Sequence, residues 1–383
     1  MIKENQAEFE LANIVKYQQM PVKRDPGLII VLDSSNRPRK HDGIQIAIDN
    51  FRDDDKPGHN TQVCGVIRQV APDANIVTFN YFGSEKPKII DWIIENKKDI
   101  CVVNCSFTSG DKEIERLEEH DITVVSSSGN TSQSITYPAS LPWIISVGAF
   151  EEWKYKVADY SSYGKTLDIV AFTNIYLMVD PETNKIHWFN GTSCSGPVAA
   201  SMLWLYQSRY GMKFTREQAR RFLHYNTIDL LEKGHDAKSG YGLFILPEKT
   251  KVNLFIGSDK YLIDGVTYRM DTAPVLKSKR TFVPIRFVAE ALGFKVTWGG
   301  DIAGGNKKEV IIQNGNLKVN MLIGSSDYLV NNNKSKMDVK PFLQNNRTYV
   351  PIRFVAEALG AKVTWGGDIG GNRNEVIIEK EGE

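Results

Sequence analysis

The feature that most constrains the fold is an internal repeat in the last third of the chain. The segment VPIRFVAEALG occurs at residues 283–293 and returns at 350–360. A repeat of this length indicates one supersecondary unit that the chain uses twice. We place the two copies at 251–314 and 317–383.

Each copy is predicted to be a small α+β unit. In the first copy, Pro284 opens a helix and Gly293 ends it, because proline suits the first helical turn and glycine the position after the last turn. The segment VTWGG (296–300) then combines the β-branched residues of a strand with a Gly-Gly turn. Residues 251–383 contain neither His nor Cys, which argues against nucleophilic His or Cys chemistry and against a soft-metal site there.

The front part of the chain alternates apolar, strand-like runs with helical patterns. Gly27–Leu32 and Asp99–Phe107 have the composition of buried strands, and apolar side chains recur at helical spacing within 60–70. Continuous apolar strands that alternate with helices indicate a mostly parallel sheet with helices on both faces. We therefore predict an α/β domain at 27–246, preceded by an N-terminal extension at 1–26.

The composition is typical of a globular protein. The chain is 42% hydrophobic and 24% charged with a formal net charge of +1, so no attraction to nucleic acid is expected. The N-terminal residues are charged throughout, and no run of about 18 apolar residues exists. We expect no signal peptide and no membrane span. The cysteines lie in apolar surroundings and are interpreted as buried free thiols rather than a disulfide framework: Cys64, Cys101, Cys105 and Cys194.

Three residues in the front part are candidates for acyl transfer by a serine. This chemistry needs a nucleophilic hydroxyl, an imidazole, a carboxylate that orients the imidazole, and donors for the oxyanion. Asp33 ends a buried strand, His59 precedes an amphipathic helix, and Ser193 opens a helix after Gly191. Strand ends and helix starts meet at the edge of a parallel sheet where sites form. Taken singly, Asp33 also fits a turn residue and His59 a helix cap.

The surrounding motifs carry a resemblance to a known family. The segments IIVLDSS (29–35), PGHNTQVCGVI (57–67) and FNGTSCSGPVAAS (189–201) resemble the Asp, His and Ser motifs of the subtilisin family, in the family's order. VVSSSGN (124–130) resembles the family's oxyanion segment. The resemblance extends over about 27–246 and implies a subtilisin-like fold.

The resemblance implies catalytic roles for four residues. Ser193 is the nucleophile, His59 accepts and returns its proton, and Asp33 orients His59. Asn130 donates its side-chain amide to the oxyanion. Gln62 departs from the family's motif, in which a histidine is usual at this position, but this position has no obligate chemical role.

The resemblance also implies where the substrate lies. Five residues flank the substrate backbone and its primary side-chain pocket: Ser106, Phe107, Ser127, Ser128 and Gly129. Thr108 and Ser109 follow where the family commonly has glycines, and a branched side chain there would narrow the cleft. The segment Tyr17–Val22 is hypothesised to block the cleft until it is cut, so removal of 1–26 would raise activity.

The repeats resemble a second family, the stalk domain that is named for the N-terminal region of copper amine oxidases. This domain occurs in tandem on bacterial surface and phage-borne proteins, so the resemblance implies attachment. The missing imidazoles argue against copper, and we predict no metal and no cofactor.

Together these observations predict a serine endopeptidase, with a catalytically inactive subtilisin-fold scaffold or binding protein as the alternative. The predicted partners are a protein or peptide substrate and, through 251–383, a bacterial cell wall or a surface or phage component. We expect the protein to be cytoplasmic as synthesised, and then phage-associated or released to the cell surface by lysis.

Overall fold

The computed structural model describes residues 2–34, 45–46, 58–180, 185–301 and 305–381. The chain forms two compact units, Met1–Leu246 and Pro247–Glu383. The segment boundaries at 1–26, 27–246, 251–314 and 317–383 stay predictions. Ser35, at the end of the predicted Asp motif, lies outside the described residues.

The first unit is built from alternating strands and helices. Its helices are α1 (Gln6–Leu11), α2 (Ile14–Gln19), α3 (His59–Val70), α4 (Lys86–Glu95), α5 (Thr192–Tyr210) and α6 (Arg216–Tyr225). Its strands are β1 (Leu28–Asp33), β2 (Gln45–Ile46), β3 (Ile76–Asn80), β4 (Ile100–Cys105), β5 (Val124–Ser127), β6 (Ile145–Glu151), β7 (Lys156–Val157), β8 (Ile169–Phe172), β9 (Ile175–Asp180), β10 (Lys185–Phe189), β11 (Thr227–Ile228) and β12 (Leu243–Phe244).

One twisted sheet organises this unit. Its strand order is β11-β12-β8-β6-β5-β4-β1-β3-β2, and β9 pairs with β10 in a separate hairpin. The strands from β12 to β3 in this order run parallel, and antiparallel pairs lie at the two edges. The short strand β7 also pairs with β6 in antiparallel orientation, off this path. The predicted α/β class with a mostly parallel sheet is therefore confirmed.

Helices cover both faces of the sheet. Ile30 and Leu32 of β1 pack with Ile90 of α4 in one apolar cluster. The alternate side chains of β1, Ile29 and Val31, are also fully buried, and they face the other side, where α3 and α5 contact β1. Because α5 is buried along almost its whole length, its first turn is held firmly at the edge of the sheet.

The N-terminal segment packs far from the edge at which α3 and α5 begin. Tyr17 is 1% exposed and contacts the rings of Tyr206 and Tyr210 near the end of α5. Ser193 lies in the first turn of the same helix. Because an α-helix rises 1.5 Å per residue, Ser193 and Tyr206 are separated by about 20 Å along the helix axis. The hypothesis that Tyr17–Val22 blocks the cleft is therefore wrong: apolar burial holds the segment at the opposite end of the helix.

The second unit is rich in strands. Its helices are α7 (Ile285–Ala291) and α8 (Ile352–Ala358). Its strands are β13 (Lys249–Phe255), β14 (Lys260–Ile263), β15 (Val266–Arg269), β16 (Val275–Lys277), β17 (Arg280–Pro284), β18 (Lys295–Trp298), β19 (Glu309–Asn314), β20 (Leu317–Leu322), β21 (Asp327–Val330), β22 (Asn333–Lys336), β23 (Phe342–Gln344), β24 (Arg347–Pro351), β25 (Lys362–Trp365) and β26 (Glu375–Glu381).

The two copies of the repeat exchange strands. One sheet has the order β15-β14-β13-β26-β25, with three strands from the first copy and two from the second. Another sheet has the order β18-β19-β20-β21-β22, with two strands from the first copy and three from the second. A third sheet, β16-β17-β24-β23, takes two strands from each copy. Each copy thus completes its sheets only with strands of the other.

None of the described helices combines the length and the apolar character needed to cross a membrane.

Candidate active site

A buried carboxylate and an imidazole meet at the carboxyl edge of the sheet. Asp33 is the last residue of β1, and His59 is the first residue of α3. Nδ1 of His59 lies 2.9 Å from both carboxylate oxygens of Asp33. A carboxylate can only accept, so Nδ1 carries the proton of this contact, and in a neutral imidazole Nε2 then keeps a lone pair. This tautomer is the one that a general base requires.

The surroundings of this pair hold it in place. Asp33 is only 1% exposed, and a buried charge is costly without donors. Ser34 supplies two of them to Oδ1, from its backbone N–H at 2.6 Å and its hydroxyl at 3.1 Å. The ring of Phe189 meets the His59 ring edge to face, with centroids 5.7 Å apart. The His59 side chain remains 38% exposed, so a substrate can reach it.

Ser193 lies in the first turn of α5, directly after a sharp turn at Gly191. Gly191 has φ +90°, and its carbonyl accepts hydrogen bonds from the N–H groups of Cys194 and Ser195. Backbone N–H groups in a first helical turn lack partners within the helix and favour negative charge. The N–H of Ser193 is therefore suited to receive an oxyanion.

The hydroxyl of Ser193 is bonded to a neighbouring segment. Its Oγ donates to the carbonyl of Ser106 at 3.2 Å, and Ser106 Oγ donates back to the carbonyl of Ser193 at 3.1 Å. Among the described residues, no hydrogen bond joins Ser193 Oγ to His59. The structure thus brings Asp33 and His59 together directly, and it holds the Ser193 hydroxyl in a different hydrogen bond at the same edge.

Asn130 is fixed by a residue that sequence reasoning missed. Its side-chain oxygen accepts from the backbone N–H of Thr192 at 2.8 Å and from the Thr192 hydroxyl at 2.9 Å. This network assigns the oxygen, and within the described parts of the chain the amide Nδ2 has no acceptor. A Cβ at Gly191 would lie 3.1 Å from Nδ2, so the glycine permits the close approach. Thr192 stands inside the Ser motif, which was the only available signal.

The predicted substrate-binding residues follow two adjacent strands. Ser106 and Phe107 come after β4, while Ser127 ends β5 and Ser128 and Gly129 follow it. These strands are neighbours in register, with Cys105 opposite Ser126. All five residues therefore lie at the same edge as Ser193. Their role in substrate binding stays a prediction.

Gln62, which departs from the family's motif, has a partner on the hairpin. Its Oε1 lies 2.8 Å from Nε2 of His187, on strand β10. This hydrogen bond connects α3 to the hairpin strand whose last residue, Phe189, contacts the His59 ring. An imidazole on the hairpin thus meets an amide on the helix.

The cysteines are buried and free, as predicted from the sequence. Burial raises the pKa of the Cys64, Cys101 and Cys194 thiols to about 12. Burial also raises the pKa of Cys105. A thiol must ionise to act as a nucleophile, so Cys194 does not compete with the adjacent Ser193.

Comparison with known families identifies the first unit. Residues 31–242, more than half of the chain, match the model of the subtilase family. The chain belongs to this family. Residues 243–304 and 299–371 match the copper amine oxidase N-terminal domain, which confirms the resemblance of the repeats.

Two relatives found by sequence comparison agree with this assignment. Subtilisin DY from Bacillus licheniformis is 26% identical over 181 residues, which cover 41% of this chain and 65% of that protein. Subtilisin-like protease 2 from Arthroderma otae is 28% identical over 235 residues, or 54% of this chain and 55% of that protein. The chain thus spans less than two thirds of these relatives. A solved lanthipeptide protease is 20% identical with a TM-score of 0.48, over 63% of this chain and 93% of that one.

Proposed function

We propose that the chain is a serine endopeptidase that uses Ser193, His59 and Asp33 as its triad and Asn130 as an oxyanion donor. The observation that carries the proposal is the contact between Nδ1 of His59 and the buried carboxylate of Asp33. It leaves Nε2 free to accept a proton at the edge where α5 presents a serine. The family match and the subtilisin-like relatives support the same activity.

The proposed reaction begins with a change of partner for one hydroxyl. Ser193 Oγ leaves the carbonyl of Ser106 and turns to His59, a rotation about one side-chain bond between staggered positions. Such catalytic hydrogen bonds are often long or absent before substrate binds. As Oγ attacks the scissile carbonyl, its proton moves to Nε2 of His59, and Asp33 stabilises the resulting imidazolium.

The remaining steps use the same groups. The oxyanion accepts hydrogen bonds from Nδ2 of Asn130 and from the N–H of Ser193. When the intermediate collapses, His59 returns the proton to the leaving amine, and an acyl group stays on Ser193. Water then attacks the acyl group with His59 again as the base, which releases the acid and restores the serine.

The test is covalent labelling of the full chain with a fluorophosphonate, together with cleavage of a denatured protein. The wild type should react with the label and cleave, and Ser193→Ala should do neither. Ser195→Ala is the matched control, because Ser195 lies in the same helix turn but is buried, and it should retain labelling. Absence of labelling in the wild type would favour the inactive scaffold.

A second variant tests the oxyanion assignment. Asn130→Ala should lower kcat by about 10²–10³, the loss known for removal of one such donor in subtilisin. The KM should change little, since the donor acts mainly in the transition state. An unchanged kcat would remove Asn130 from the mechanism.

We also propose that the second unit attaches the enzyme to a bacterial wall or a surface or phage component. It contains a cleft of about 260 Å³ whose lining includes Trp298, Phe287 and Arg286, and aromatic walls with a few polar groups are typical of ligand sites. The full-length Ser193→Ala chain should sediment with purified walls, and the additional change Trp298→Ala should weaken this. Equal sedimentation of both chains would count against the cleft.

A further inference from the structure

Two segments flank the substrate of the proposed endopeptidase, and the role given below to the space between them rests on that proposed activity. The segment after β4 supplies one flank and the segment after β5 supplies the other. Thr108 continues the first flank, two residues beyond Ser106. Thr136 lies against the second flank, because its N–H and its hydroxyl bond to the carbonyl of Ser128 at 3.1 and 3.3 Å.

The two threonines join the flanks. Oγ1 of Thr108 lies 3.0 Å from Oγ1 of Thr136. Because the Thr136 hydroxyl is in donor range of the Ser128 carbonyl, a consistent network has Thr108 donating to Thr136 and Thr136 donating to Ser128. We call this pair the threonine bridge. It spans from the segment after β4 to the segment after β5.

The bridge is supported by its backbone. The N–H of Ser109 donates to the carbonyl of Tyr137 at 3.2 Å, directly beside the threonine pair. The hydroxyl of Tyr137 in turn donates to Glu115 at 3.2 Å. A Cβ at Gly129 would lie 3.0 Å from Thr136 Oγ1, so the second flank also packs closely on the bridge. Opening the space would disturb a side-chain and a backbone hydrogen bond together.

We propose that the threonine bridge closes the primary side-chain pocket, so that the enzyme cleaves after residues with small side chains, namely Gly, Ala and Ser. An aromatic ring between two walls needs about 7 Å between their atoms, twice a van der Waals contact distance. The bridge oxygens are 3.0 Å apart. A methyl or hydroxymethyl group avoids this conflict, because it does not need to pass between the threonines.

The test compares peptide p-nitroanilides that differ only in the residue before the scissile bond, Ala or Phe. For the wild type, kcat/KM should favour Ala by about 100-fold, within the range that pocket size and shape produce. In the double variant Thr108→Gly with Thr136→Gly, the Ala-to-Phe ratio should fall at least about tenfold. Thr108→Ser keeps a bridging hydroxyl and should keep most of the preference.

The controls separate this inference from the proposed activity. Thr215→Gly changes a threonine that caps the start of α6, where glycine is tolerated, and the ratio should not change. Fluorophosphonate labelling counts the active sites of every variant. A wild type that is labelled but cleaves after Phe as well as after Ala overturns the threonine bridge and leaves the proposed activity standing. A double variant that is labelled but keeps the wild-type Ala-to-Phe ratio of kcat/KM also overturns the role of the threonine bridge alone. A wild type that is not labelled refutes both that role and the proposed endopeptidase activity.

Discussion

At the scale of single residues, the position of Asn130 depends on the lack of a side chain at Gly191. Gly191 has φ +90°, a conformation that residues with a Cβ rarely adopt. Even without that strain, a methyl group there would lie 3.1 Å from the Asn130 amide. The glycine thus serves both the turn into α5 and the placement of Asn130, the proposed oxyanion donor.

Gly191→Ala should therefore lower kcat by about 10–100-fold, since small displacements of catalytic groups have effects of this size. Steady-state kinetics would measure it, and circular dichroism would check that the fold persists. The matched control is Gly110→Ala, because a Cβ at Gly110 meets nothing within 4 Å. Equal kcat for Gly191→Ala and the wild type would show that the turn does not position Asn130.

Thiol chemistry gives a second prediction at this scale. The pKa of Cys194 is raised to about 12 by burial, so the group stays protonated at neutral and mildly alkaline pH. Iodoacetamide at pH 8 should leave the activity unchanged over hours. After unfolding in guanidinium chloride, the same reagent should modify all four cysteines. Rapid inactivation of the folded enzyme would contradict the buried, protonated state.

The site residues that stand in a local motif were predictable from the sequence. The residues that hydrogen-bond to the site and hold it in place were not. Asp33, His59 and Ser193 stand in recognisable segments, and the structure brings them to one edge of the sheet. Thr192 was visible only as a letter within the Ser motif, because its role depends on Asn130, which is distant in the sequence. Thr136 carried no signal, since its partner Thr108 comes from another strand end.

At the scale of elements, the N-terminal segment has become part of the core of the first unit. Asn5 is fully buried, and its side chain bonds to both the N–H and the carbonyl of Tyr176 at 2.8 Å. Gln18 bonds to the carbonyls of Gln69 and Val70, at the end of α3. The carbonyl of Tyr17 accepts from the buried Arg209 at 2.7 Å. These contacts indicate a structural role for the segment.

Tyr17→Ala should accordingly destabilise the protein by about 3 kcal/mol, the scale for truncating a buried aromatic side chain. Denaturant unfolding of the full chain would measure the change in the free energy of unfolding. Val22→Ala is the comparison variant, because Val22 is 44% exposed, and it should change that free energy by less than about 0.5 kcal/mol. A stable but more active Tyr17→Ala enzyme would restore the idea of an inhibitory segment.

At the scale of the whole molecule, the exchange of strands joins the two copies of the repeat into one compact unit. Strand β13 of the first copy pairs with β26 of the second along its whole length, from Lys249 opposite Glu381 to Phe255 opposite Glu375. Strand β19 pairs with β20 across the boundary between the copies. Neither copy can bury its apolar faces without the other.

A fragment of residues 247–316 should therefore fail to form a stable monomer. It should be unfolded, or it should dimerise by pairing with a second fragment, as strand exchange permits. The fragment 247–381 should melt cooperatively as a monomer. Circular dichroism and size-exclusion chromatography would distinguish these states, and a monomeric shorter fragment with a cooperative transition would show that one copy suffices.

The sequence by itself determined the α/β class, the triad candidates, the oxyanion candidate and the presence of a repeat, because each rests on local periodicity or a short motif. Only the tertiary structure decided where the N-terminal segment packs, how Asn130 is anchored, and that threonines join the two flanks of the cleft. It also decided the strand exchange. The physical reason is the same in each case: these features depend on which distant segments meet. The two copies present nearly identical strand edges, so local sequence cannot distinguish pairing within a copy from pairing between copies.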